Sequence, residues 1–396
     1  MNSPLPHSKT QQTSAVFALL LVLFGPLGID LYLAAFVQMA QEFHHDMGLS
    51  LSVYLFFLGV AQLFWGWLSD RVGRRPVALI GLGFYTLASL LLLQCESFAL
   101  FIAWRAVQGV GAAAIALTAF VTVRDCFEGQ SAARYFALLN ASLNLVPSIA
   151  PLLGSVLLAY ASWRANFAFL ALLSGLCLLA VWLKMPENLQ QTSKSKLPPL
   201  KDFLQSKAFV AYGFACAVGL SLILTHVALS PRVLIEGCGV SPTQFALLFG
   251  SNAVLILIAN LINHKLMQKI ASERMLKLGL LLMTCASLLL LFLADIQSVL
   301  AYMLPIYLMS VGFAFMMGPA NALALSEIKQ DLGSATAWLG SFQMGTAALV
   351  SGALSAQTDR IQWGFGLAVV FLVCSTWLLI QWAHKTSSSK RNIQTF

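Results

Sequence analysis

Two ionisable side chains stand where ionisable side chains are expensive. Asp30 lies within the apolar run FGPLGIDLYLAA (Phe24 to Ala35), and Arg105 within WRAVQGVGAAA (Trp104 to Ala114). A charge at the centre of a bilayer costs about 2.5–3.5 kcal/mol on insertion scales, so a charged residue inside a membrane-length run is a functional candidate by default. Counted from the outer ends of their runs, Asp30 is about seven residues deep and Arg105 about six. At a rise of about 1.5 Å per residue, both stand roughly 10 Å inside the same boundary. An acid and a base at one depth predict a buried pair, since an unpaired buried charge costs far more. A carboxyl that a guanidinium can approach or leave has the chemistry of a proton carrier, because its charged form is favoured by the cation and disfavoured by burial. The plainer alternatives are an Asp30 that salt-bridges near the outer interface and an Arg105 that snorkels outward alone.

The elements that must hold these residues are read from hydropathy. The chain has 396 residues, 59% hydrophobic and 10% charged, against roughly 25% charged for a soluble domain. It is therefore expected to be an integral membrane protein. Runs of the length a spanning helix needs occur at 14–37, 50–68, 77–95, 99–122, 132–158, 165–183, 207–230, 242–263, 275–293, 298–320, 334–357 and 362–383. They are continuous rather than alternating, which excludes a β-barrel. The expected fold is an all-α membrane protein of twelve transmembrane helices in two six-helix bundles. Residues 1–183 form the first bundle, 184–206 a cytoplasmic linker, 207–384 the second bundle and 385–396 a cytoplasmic tail, short, basic and disordered. The linker is polar, with Pro186, Pro198, Pro199 and several lysines. Near-equal halves joined this way are the layout of a two-bundle transporter.

A net charge of +8 invites a nucleic-acid reading, but its distribution removes it. With the amino terminus inside, only Arg164, Arg232 and Arg360 fall in outer loops, and apart from Arg105 the other basic residues lie on the inner side. That asymmetry sets topology. Glu42, Asp46, Glu96, Glu236, Asp295 and Asp359 then lie outside, and both termini lie in the cytoplasm. The first apolar run is too long for a cleavable signal core, so a bacterial inner membrane is expected. Seven scattered cysteines show no metal or disulfide spacing, and the adjacent His44 and His45 read as solvated loop residues.

The short link GWLSDRVGRRP, Gly66 to Pro76, packs Asp70, Arg71, Arg74 and Arg75 with Gly66 and Gly73 between two spans. Span five carries NASLNLVPSIAPLLG, Asn140 to Gly154, in which Pro147, Pro151 and Gly154 predict a bent, small-faced helix. Asn140 and Asn144 lie four residues apart on one face. The second half is nearly free of buried charge: His226, Asn252, Asn321 and Gln343 are its polar candidates, and Gly333–Ser334 is a candidate cap for span eleven. Phe24, Tyr32, Asn140, Asn144, Asn252 and Gln343 are candidates to line a substrate cavity. HExxH, GxSxG and Walker signatures are absent, as is any lysine deep within a span. No enzyme is indicated, no cofactor is expected, and energy would come from a proton gradient. The absence of an acidic or carbonyl-rich filter argues against a channel.

GWLSDRVGRRP resembles motif A of the major facilitator superfamily. The resemblance implies that Asp70 meets the amino-terminal end of span eleven near Gly333 and Ser334, that Gly66 permits close helix contact and that Arg74 joins a charge network. WRAVQGVGAA resembles motif B, whose arginine, here Arg105, is tied to proton coupling. LVPSIAPLLG resembles the antiporter-type motif C, without its usual paired glycines. GIDLYL, followed by VRD at Val123 to Asp125, is similar to the Bcr/CflA group of drug:proton antiporters, including its MdtL-like members, although Ala34 stands where that group usually has proline. What the resemblance implies is proton-coupled export of small amphipathic drugs by alternating access, with a small-molecule substrate, protons and the lipid bilayer as the partners of a monomer, and no nucleic acid. The alternatives are a proton-coupled transporter of a metabolite (sugar, amino acid or organic anion) on the same fold, or a non-transporting membrane sensor.

Overall fold

The structure, a computed structural model, describes residues 9–187, 200–328, 332–357 and 360–393. Asp359, most of the expected linker and the last three residues of the tail lie outside the described residues.

All regular structure among the described residues is helical. Among the described residues eleven helices are long and apolar enough to cross a membrane, from Thr10–Phe43 through Ile361–Ala383. The remaining expected span, the eleventh, is the helix Leu332–Ser355, less apolar because of its glycines, serines, threonines and Gln343. Membrane character also shows in what the helices leave uncovered. Leu172, Leu176, Leu179 and Leu183 recur along one face of span six (Arg164–Lys184), and all four are exposed. A stripe of bare leucines is unfavourable in water and suits hydrocarbon.

The span ends follow local chemistry. Span eight (Pro242–Leu266) begins with a reciprocal capping box between Ser241 and Gln244, with Pro242 in the first turn. Ser206 caps span seven (Lys207–Pro231) by accepting from the Phe209 amide at 3.2 Å. Other ends differ from expectation. Span seven continues beyond residue 230 as a π-helical segment, Arg232–Gly237. Span eleven starts at Leu332, so Ser334 sits inside the helix and is not its cap. The helix Ile361–Ile393 runs on through the tail expected to be disordered; that stretch, KTSSSKRNI, holds neither glycine nor proline to end it.

By contact the chain divides into two compact units, Met1–His45 with Phe57–Lys196, and Asp46–Phe56 with Leu197–Phe396. In the first, span three (Arg74–Leu92) and span four (Phe98–Cys126) are joined by Gly81 and Gly111. A Cβ on Gly111 would stand 2.7 Å from the Gly81 carbonyl. In the second, span nine (Ser272–Phe292) and span ten (Val299–Leu325) meet the same way, and a Cβ on Gly279 would stand 2.6 Å from the Gly312 carbonyl. Small residues let backbones approach and dispersion contacts accumulate where no hydrophobic drive exists between helices. The paired glycines thus give the two units a common frame: six residues before Gly111 is Arg105, and six before Gly312 is Ile306, both fully buried.

Span one is not a single rod. Its helix Lys9–Leu21 stops short of Pro26, which has no N–H to give the Val22 carbonyl. It resumes over Phe24–Asp30, breaks at Tyr32 (φ −98°, ψ 1°), tightens into a 3₁₀ turn at Leu33–Ala35 and continues as Phe36–Phe43. Asp30 is the last residue of the helix before the break. Span five, Gly129–Tyr160, stays continuous through Pro147 and Pro151, as membrane helices can.

Candidate functional site

Arg105 is held inside the first unit by span one. One guanidinium nitrogen donates to the Gly28 carbonyl at 2.9 Å and to the Tyr32 hydroxyl at 3.1 Å. Another donates to Gln108, one turn along its own helix. The guanidinium carbon lies 4.6 Å from the Tyr32 ring centroid, within cation–π range. Gln108 in turn donates to Ser89 at 2.8 Å, and Ser89 to the Tyr85 carbonyl at 2.7 Å; the Tyr85 hydroxyl donates to the Phe24 carbonyl at 3.1 Å. The chain of bonds ties spans one, three and four around one buried cation.

The expected Asp30–Arg105 pair is not formed: no ion pair or hydrogen bond joins them, although Asp30 is only 3% exposed. The depth estimate placed both residues at one level but left out rotation about the helix axis. Each helical residue turns the direction by about 100°, so Gly28 and the helix-proximal Tyr32 share a face while Asp30, two residues from each, points away from it. Arg105 finds a neutral carbonyl and a hydroxyl on that face, and Asp30 carries no ion-pair partner among the described residues.

The second charged centre is the turn between spans two (Gly48–Val72) and three. Arg74 is 2% exposed and donates to Asp70 at 2.8 Å, Ser69 at 2.9 Å and Asp125 at 2.8 Å, while its backbone N–H donates to Glu187 at 3.0 Å. Arg124 reaches the other oxygen of Asp125 at 3.1 Å. Gly73 takes φ +101°, a conformation that requires glycine there, and a Cβ would stand 2.7 Å from the Glu187 carboxylate. Arg71 stacks over Trp67 at 4.0 Å, and Arg75 donates to the Trp182 carbonyl. Among the described residues nothing lies within 4 Å of where a Gly66 Cβ would be, so the close helix contact expected at Gly66 is not made with them. The residues just before span eleven, 329–331, lie outside the described residues.

Of the cavity candidates, Phe24 and Tyr32 are packed inside the first unit instead of lining an opening: Phe24 stands edge-on to Tyr85, and Tyr32 contacts Phe36 and Phe167. Asn140 and Asn144 turn their amides back onto the carbonyls of Phe136 and Asn140. In span five Pro151 and Gly154 are buried, and Pro147 is half-buried. In the second unit Gln343 donates to Asn321 at 3.3 Å. Asn252 is buried with its side-chain oxygen unpartnered. His226 shares a 3.1 Å hydrogen bond with Tyr302 and stacks on Phe249, its other ring nitrogen unpartnered. Sequence reasoning missed Gln108, Ser89, Tyr85 and Glu187. Gln108 carried a signal, since it lies one turn from Arg105; the others come from distant segments.

Residues 18–351 match the Major Facilitator Superfamily. The chain is 31% identical over 322 residues to a chloramphenicol resistance protein of Pseudomonas aeruginosa, covering 80% of this chain and 77% of that one. It is 26% identical over 361 residues to a bicyclomycin resistance protein homolog of Haemophilus influenzae (86% and 89% covered), and 28% identical over 375 residues to the multidrug resistance protein MdtL of a Shewanella species (91% and 93%). Among solved structures, the crystal structure of a D-xylose–proton symporter aligns with a TM-score of 0.76 at 15% identity, covering 93% of this chain and 98% of that one. The chain belongs to the major facilitator superfamily and is a multi-pass membrane transporter of small molecules, not an enzyme.

Proposed function

We propose that the protein exports small amphipathic drugs or toxic compounds across the bacterial inner membrane in exchange for protons, by alternating access, as a monomer with both termini in the cytoplasm. The observation that carries the proton-coupling part is Asp30. It is a buried carboxyl with no ion-pair partner among the described residues, at the last residue of the helix Phe24–Asp30 that ends at the break in span one. A buried unpaired carboxylate is costly, so its protonation state responds to any motion that changes its access to water. Arg105 then serves as a fixed positive centre that holds the Gly28 and Tyr32 sides of the break. The proton gradient supplies the energy, and no cofactor is needed. Drug export is supported by relatives whose names record resistance to chloramphenicol, bicyclomycin and multiple drugs. In the Arg74 cluster, Asp70 keeps about a third of its side chain exposed, and its remaining oxygen suits the positive end of a helix dipole.

The test uses purified protein in liposomes holding a pH-sensitive dye, with chloramphenicol, bicyclomycin, sugars, amino acids and organic anions added in turn on the side corresponding to the cytoplasm. Proton flux driven by a drug and absent in Asp30→Asn is the expected result. Flux driven only by a sugar, amino acid or organic anion would replace the drug reading, and drug-driven flux that survives in Asp30→Asn would remove Asp30 from the mechanism.

A further inference from the structure

The break in span one leaves a backbone acceptor without a donor, and a side-chain amide without any partner stands beside it. In an unbroken helix the Ala35 N–H would bond to the Leu31 carbonyl; here it turns to Tyr32 at 2.9 Å. Asn166, in the first turn of span six, is 0% exposed, and neither its oxygen nor its nitrogen has a hydrogen-bond partner. A buried amide left wholly unbonded is rare and costly. The two groups converge on one point. The position a Gly154 Cβ would take lies 1.7 Å from the Leu31 oxygen and 3.4 Å from the Asn166 side-chain oxygen. The next residue on span six confirms the proximity, because Phe167 packs against Tyr32 with ring centroids 5.4 Å apart. Gly154 of span five therefore presses its bare Cα against the carbonyl that the amide could otherwise bond.

We propose that Asn166 and the Leu31 carbonyl form a hydrogen-bond switch, with Gly154 as its spacer, that positions Asp30 during the transport cycle; the inference rests on the proton-coupling reading of Asp30. With span five seated as observed, the amide is idle. A shift of span five along the break lets the Asn166 amide donate to Leu31, fixing the backbone of the residue after Asp30 and with it the direction of the carboxyl. Both unbonded groups then gain a partner, so the second arrangement recovers a buried hydrogen bond that the first lacks. An uncharged amide suits the task because it does not compete with Asp30 for the proton. Span five carries Pro147 and Pro151 just before Gly154, where missing amide donors make a helix easier to bend.

Asn166→Leu and Asn166→Ser, with Asp30→Asn as control, test this in liposomes with chloramphenicol as the probe, by uphill transport, by downhill exchange and by melting temperature. For Asn166→Leu the switch predicts a melting temperature at or above the parent's, since an unbonded amide is gone. It also predicts exchange and KM within about twofold and uphill kcat lowered about tenfold. Asn166→Ser, which keeps a donor, should recover part of that loss, and it carries the test alone if the leucine variant does not fold. Parental kcat in both variants would overturn the switch. So would equal losses of stability, exchange and uphill transport, which mark a packing role. Uphill transport that survives in Asp30→Asn, or is absent from the parent, would instead overturn the reading on which the switch rests.

Discussion

The two units share a frame and differ in what they bury. Gly81 with Gly111, and Gly279 with Gly312, bring two spans together in the same way, yet six residues before the later glycine the first unit has Arg105 and the second has Ile306. The first unit surrounds its buried cations with acceptors: Gly28, Tyr32 and Gln108 for Arg105, and Asp70, Ser69 and Asp125 for Arg74. The second has neutral groups, His226 on Tyr302 and Gln343 on Asn321, with the His226 and Asn252 polar atoms partly unpartnered. A common packing frame can therefore carry charge chemistry on one side and an uncharged wall on the other, because the glycine contacts do not depend on what lies one or two turns away.

The comparison breaks most sharply at its charged positions. Arg105→Ala leaves three buried neutral acceptors without their donor, each at about 1–3 kcal/mol, read as a large drop in melting temperature in detergent. The mirror change, Ile306→Arg, puts a cation in place of a fully buried apolar side chain and should lose at least the insertion cost of about 2.5–3.5 kcal/mol, read as poor membrane insertion. If Ile306→Arg is tolerated as well as the parent, the units are more alike than their buried charges imply.

At the inner turn, Arg74→Ala should cost about 3 kcal/mol because its acids stay behind. Arg71→Ala, which removes only a cation over an exposed tryptophan, should cost about 1 kcal/mol or less. Equal losses in the two variants would show that Arg74 is not the centre of the cluster. The motif placed Arg74 in a charge network in advance, without naming Asp70 as its partner. Asp125 and Glu187 were not legible as partners, since they come from segments about 50 and 113 residues away and no local period connects them.

The smallest effect belongs to Asp46 in the turn before span two. Burial pushes its carboxyl above the usual range, the Gly48 amide and Arg232 pull it down, and Glu236 pushes it up. A carboxyl raised on folding contributes stability below its unfolded value and loses that contribution as pH rises through the folded one. Asp46→Asn keeps the acceptor for the Gly48 N–H, so it should leave the melting temperature at neutral pH unchanged or slightly higher and flatten its fall as pH rises through the carboxylate range. A clear loss at neutral pH would mean that the 3.4 Å pair with Arg232 outweighs burial.

Much of the fold was written in the lengths of apolar runs, because a bilayer demands long helices and satisfies no exposed backbone. The site was legible in one coordinate only. Position along a helix follows from counting, so Asp30 and Arg105 were placed at one level. Direction around the helix depends on where each helix ends up, and that separated them. The break after Asp30 could not be read either: Pro26 and Gly28 marked a weak stretch, but the irregular residues are Tyr32 to Ala35, set by packing against spans four, five and six.

The most direct measurement compares Asp30→Asn with His226→Leu in liposomes, following uphill drug transport and downhill exchange together. If coupling resides in the first unit, Asp30→Asn keeps exchange but loses uphill transport, and His226→Leu keeps both, with a stability change of about 1 kcal/mol or less. Uphill transport that persists without the Asp30 carboxyl, or that disappears with His226, would contradict that account.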